Sequence, residues 1–328
     1  MFTMYTFNVD RVYIVVYTVN IMNDTNFKRQ PLFWNGIIMV VLTITMIPLL
    51  FLDTRTLLGV NLWIKPIKFT ISLGIYSFST VWILERFLAD WKHNRKTQMV
   101  LTITSVIEIV LITIQAARGE SSHFNVSSTW NQIVFSVMGT SISIFWLFHL
   151  AMILPVFKQK LISKVVKESL LWGLVIAGFG MIIGFFMTQP RPEQLELMKQ
   201  GIFQASGSHN FGKGEPGQGL YFFGWSTVIG DMRVPHFFGM HLMQVFFVLA
   251  AYLLSKKETK EHNLIVRLIG VFLLSMTILM VVQTFMGYSI FAFHPFFTMG
   301  YGLLVFAVTS LLIKLFSAPK FLNTKVMV

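Results

Sequence analysis

Apolar residues in this chain gather into long stretches separated by short polar ones. Each stretch is about as long as the twenty residues that a helix needs to cross some 30 Å of hydrocarbon. They fall at residues 32–52, 66–86, 98–117, 131–154, 168–188, 234–254, 265–286 and 296–316, which predicts eight transmembrane helices. The apolar run RVYIVVYTVNI near the N-terminus is too short to span and opens on Asp10 and Arg11. Residues 1–31 therefore read as a cytoplasmic or interfacial segment, with no signal-peptide cleavage site ahead of it. The expected fold is all-α: one polytopic helical bundle over residues 32–316, followed by a short cytoplasmic tail at 317–328. Pro66, Pro235 and Pro295 stand near helix starts, where a missing N–H has no intrahelical partner in any case. The 189–233 loop begins with a helix-compatible charged stretch and continues into a glycine-rich one. That pattern fits either a lid over a site or a mobile linker; the spacing of a phosphate-binding loop is absent.

Composition agrees with a membrane chain. Of 328 residues, 55% are hydrophobic and 12% charged, against roughly 25% charged in soluble domains. The net charge of +12 would suit a nucleic-acid partner if it were spread over one surface. Instead, most lysines and arginines lie near both ends of the chain and in the loops 87–97, 155–167 and 255–264. This is the asymmetry of a multi-pass protein of the cell membrane with both termini cytoplasmic, and no nucleic-acid partner is expected. The chain has no cysteine, so disulfides, thiolate metal sites and covalently attached haem are excluded.

The chemistry lies in polar residues that crossing a bilayer does not require. Lys65, Lys68, Arg118 and Arg233 lie at outer helix ends, with His123, His236 and His294 beside them. Two of those ends are helix N-termini, whose free N–H groups and dipole attract anions. This set predicts a cradle for a phosphate or carboxylate, although lipid headgroups and snorkelling would also satisfy such residues. Deeper in the sequence, Glu108 is near the middle of the third stretch, where an ionisable group is costly and points to function. Gln115 shares its helical face, His241 and Gln244 share a face of the sixth stretch, and Gln283 lies near the outer end of the seventh. The expectation is one outward-opening polar cavity with Glu108 and His241 as a protonatable pair; the alternative is a set of interhelical hydrogen bonds that hold the bundle together.

His236 and His241 are five residues apart and cannot both face one ion on a regular helix, so no metal site is expected. A b-type haem would need two histidines at similar depth, which only His241 with His123 or His294 could supply. His149 reads as a hydrogen-bonded core residue, and His93, His209 and His262 as solvated loop residues. Trp63, Trp82, Trp130 and Trp225 suit membrane anchoring, and Gly173, Gly178, Gly180 and Gly184 suit close helix contact. Three functions fit this pattern. One is a carrier or receptor for a small anionic or amphiphilic ligand. Another is an outward-facing membrane enzyme on a lipid-like substrate, haem or metal oxidoreductases included. The third is an assembly protein whose polar groups only hold helices together.

Overall fold

A computed structural model describes residues 25–160, 162–217, 219–254 and 258–317. The interfacial segment and the tail expected at the two ends lie largely outside these residues. Among the described residues eight helices are long and apolar enough to cross a membrane: Pro31–Leu52, Ile64–Phe87, Asn94–Arg118, Thr129–Lys158, Lys164–Thr188, Arg233–Leu254, Lys260–Phe285 and Pro295–Leu315. They are called the first to eighth spans below. All eight predicted stretches are found, several of them extended by a turn of polar residues that the hydropathy pattern alone would leave out. The first span is interrupted between Met46 and Leu49, where Pro48 removes a backbone donor. The fourth breaks at Met152, and its start is fixed by the Ser128 side chain, which accepts from the Asn131 backbone N–H.

The second and fifth spans are the most buried. In the second, 67% of the most apolar window is buried, against 6% in the eighth, which therefore lies at the periphery with most of its surface toward lipid. The fifth and sixth spans come closest. A Cβ added at Gly239 would lie 2.9 Å from Gly180 Cα, and one added at Gly173 would lie 2.9 Å from Phe246 Cβ. Only glycine allows this approach, as the sequence suggests for the fifth-span glycines. Polar side chains tie the spans together: Asn35 to Ser77 at 2.9 Å, Thr43 to Thr70 at 2.7 Å, and Trp146 Nε1 to the Gly178 carbonyl at 3.0 Å. His149 is a core residue, bonded to the Tyr76 hydroxyl and the Leu174 carbonyl at 2.9 Å each. Trp82 is buried against Phe87 and Phe247 and anchors nothing to an interface.

Loops at one end of the bundle fold into a cap. A short helix, Pro192–Lys199, follows the fifth span. Gln194 clamps the turn beneath it, accepting from the Arg191 and Gly207 backbone N–H groups at 2.8 and 2.9 Å. Arg191 lies over the Phe211 ring at 3.8 Å and donates to the Ser208 carbonyl. Strand β1 (Thr56–Leu57) pairs with β2 (Val60–Asn61), and β3 (Asn210–Phe211) pairs with β4 (Gly230–Asp231), both antiparallel. The glycine-rich half of the 189–233 loop is thereby sewn to the start of the sixth span.

Candidate functional site

Glu108 lies ten residues before the end of the third span, about 15 Å along the helix axis. Gly119 ends that helix at φ +74°, a left-handed conformation that costs glycine nothing. The chain then folds back into the bundle. Residues 119–128 are held by the cap: the Ser206 N–H donates to the Phe124 carbonyl at 2.8 Å and the Val126 N–H to the Gln204 carbonyl at 3.1 Å. Phe124 itself stands at φ +64°, a conformation that bulky side chains avoid and that marks stored strain. The outcome is that His123 Nε2 lies 3.5 Å from Glu108 Oε1. Glu108 is 3% exposed, and its Oε2 has no hydrogen-bond partner among the described residues.

The opposite face of the same imidazole meets a cation. Lys65 Nζ lies 3.1 Å from His123 Nδ1, and Ser122 Oγ is also 3.1 Å from it. Since an ammonium only donates, Nδ1 is the acceptor and Nε2 carries the proton toward Glu108. Lys65 is in the first turn of the second span, where Pro66 starts the helix at little cost. Phe69 and Phe124 flank the ring at 5.7 and 6.1 Å. Lys65, His123 and Glu108 therefore form a chain of three groups between apolar walls.

Further basic groups surround it. His236 is held by the fifth span: its Nδ1 donates to the Gly180 carbonyl at 2.7 Å, and Gly184 leaves the room its ring occupies. His209 stacks on Phe124 at 6.3 Å. Lys68 donates to the Phe223 carbonyl at 3.0 Å. Burial holds His123 well below the usual imidazole range, and the charges of Lys65, His236 and His209 push it in the same direction. Burial likewise lowers His209 to about 3, aided by Arg233, Lys65 and Lys68 and opposed by Asp231. Both histidines thus sense the charge of Lys65.

Several predicted residues are placed elsewhere. Glu108 and His241 are not partners: His241 Nε2 faces Ser72 Oγ at 3.2 Å and its Nδ1 faces Gln244 at 3.2 Å. Matching depths brought the two together on paper, but depth does not say which helices are neighbours. Gln115 bonds to Asn131 and the Ser121 carbonyl, and Trp130 donates to it. Gln283 donates to the Ser289 carbonyl and accepts from Tyr301. Both glutamines pin loops rather than line a cavity. Arg118 is exposed over the Trp130 ring at 5.7 Å, and His294 packs on Tyr288 at 4.1 Å. Arg233 grips Asp231 through two nitrogens, at 3.0 and 2.6 Å, and the Gly224 carbonyl at 2.5 Å. It braces the cap instead of standing free at a rim. His209 is the reverse case, expected in solvent and found in the cluster. Ser122 and Asp231 also belong to this end, and the only sequence signal for them is their adjacency to His123 and Arg233.

Among the described residues no three His, Asp or Glu side chains are grouped as metal ligands. His241 and His123 each have both ring nitrogens engaged, so they do not fit a bis-histidine haem. No family model, no curated protein and no solved structure matches this chain.

Proposed function

We propose that the protein is a carrier or receptor of the cell membrane for a small anionic or amphiphilic ligand, held at the capped end by Lys65 and Lys68 together with His123, His209 and His236. The observation that supports this is the convergence of five basic side chains from four separate parts of the chain at the end of the bundle where the buried Glu108 carboxyl group lies. The two lysine charges repel one another and the three imidazoles sit neutral beside them, and an anion arriving from outside relieves that repulsion and favours protonation of the imidazoles. One feature favours hydrolysis instead: Ser122, His123 and Glu108 stand in the order of a serine triad. Against it, Ser122 is 3% exposed, and the Lys65 ammonium occupies the ring nitrogen that would take the serine proton.

Sulfate and decyl sulfate, which do not titrate near neutral pH, are suitable probes for calorimetry. Both should bind if the site reads charge; only decyl sulfate should bind if an apolar chain is needed as well. Lys65→Met and Lys68→Met should each weaken binding by about tenfold, the worth of one charged hydrogen bond. Binding should also tighten as pH falls from the ordinary imidazole range toward the lowered one, about 3 for His209. The sign follows from the histidines: held neutral in the free protein, they accept protons more readily once a negative charge is beside them, so protons and anion bind together. Binding indifferent to both lysines and to pH would refute the reading.

The lysine and arginine asymmetry supports an outward-facing cap. With no native cysteine to interfere, Tyr221→Cys on the cap, where Tyr221 is 95% exposed, should react with an impermeant thiol reagent on intact cells. His93→Cys, exposed at the opposite end, should react only after the cells are opened. The reverse pattern would turn the protein over and place the site on the cytoplasmic side.

A further inference from the structure

Three groups in line, each within reach of the next, can do more than hold charge. Lys65 offers ammonium protons, His123 has an accepting nitrogen on one side and a donating nitrogen on the other, and Glu108 presents a carboxyl oxygen to the donor. We propose that Lys65, His123 and Glu108 form a proton relay leading from the capped end of the bundle to a carboxyl group near the middle of the membrane.

The transfer balances within the three residues. An N–H bond of Lys65 breaks as one forms at His123 Nδ1, while the His123 Nε2–H bond breaks as an O–H bond forms at Glu108 Oε1. The ion pair becomes a neutral amine and a neutral acid, and the imidazole is left as its other tautomer. Neutralising a mid-span carboxylate is favourable because a charge there is costly to hold in hydrocarbon. The unpartnered Glu108 Oε2 fits this, since a carboxylate would want donors on both oxygens and a carboxylic acid needs fewer. The groups facing the relay are Lys68 from the second span, Asp231, Arg233 and His236 from the start of the sixth, and His209 from the cap. Except for Asp231 these are cationic or can become so, and they favour the form in which Lys65 has given up its charge.

Coupling to a ligand follows, and this step rests on the function proposed above. An anion seated at the capped end favours the charged form of Lys65, so the amine takes up a proton from the capped side while Glu108 keeps the one it received through His123. Each anion bound would then bring about one proton with it.

Infrared spectra of the purified, ligand-free protein test the relay without any anion. A carboxylic-acid C=O band should be present in the wild type and absent in Glu108→Gln, and it should shift promptly on transfer to D2O. His123→Asn and Lys65→Met should each slow that exchange by about tenfold or more, as expected when a positioned proton carrier is removed. If only one of the two variants folds, that one decides. The relay is overturned if Glu108→Gln removes no such band between about pH 5 and 8, or if exchange in the variants is as fast as in the wild type. Failure of sulfate and decyl sulfate to bind would remove the ligand reading but leave the exchange result untouched, so the two ideas fail separately.

Discussion

Gly180→Ala is expected to push the fifth and sixth spans apart and lower stability by about 3 kcal/mol, the upper range for overpacking a tight contact. The new methyl group would lie 2.6 Å from the Gly239 carbonyl carbon. The obstacle is backbone, which has no rotamer to move into. The loss should reach the site too, because the Gly180 carbonyl is what holds His236, so an assay of ligand binding should fall with it. Gly139→Ala is the control: nothing lies within 4 Å of its added Cβ, and the substitution should be neutral or slightly stabilising through helix propensity. Equal thermal stability of the Gly180 and Gly139 variants would show that the close approach does not hold the bundle together.

Arg233→Gln should cost a comparable amount, about 3 kcal/mol, and should act on the cap rather than on ligand contacts. Asp231 is 1% exposed and accepts from Arg233 and from the Ser226 backbone N–H. Removing the guanidinium leaves that carboxylate buried without its counter-charge, and also frees the turn at Gly224. The double variant Arg233→Gln with Asp231→Asn should recover part of the loss, because no charge is then stranded. Limited proteolysis within residues 212–228, compared across the three proteins, measures this. Unchanged protease resistance in Arg233→Gln would mean that the pair does not brace the cap.

Spans were legible because a run of twenty apolar residues has one stable place in a bilayer, and the fifth-span glycines were legible because small residues recur on a helix that must pack closely. The cost of placing Glu108 at that depth was legible too. The partner of that carboxyl group was not. Pairing Glu108 with His241 used depth alone, one of the two coordinates that locate a side chain in a bundle; the other, the order of helices around the axis, is not written in hydropathy. His123 belongs to a loop that hydropathy places outside the membrane, and its descent to Glu108 depends on a left-handed Gly119, a strained Phe124 and a clamp from Gln204 and Ser206 far along the chain. His209, set in a glycine-rich loop, carried no periodic signal that would bring it inward.

That clamp has a consequence for how the protein is made. The third span is synthesised and inserted before residues 204–206 exist, so Glu108 enters the bilayer while the loop that carries His123 has nothing to hold it in place. A charged residue at that depth raises the cost of insertion by roughly 3 kcal/mol on translocon scales. The span offsets it with its own length and apolar content, a mean hydropathy of 2.0 over its most apolar window. Biogenesis would therefore have a late step in which the cap closes and the carboxyl group acquires its histidine. A proline in place of Ser206, far from Glu108, would remove the N–H that holds Phe124 and leave a fully inserted protein with that step undone.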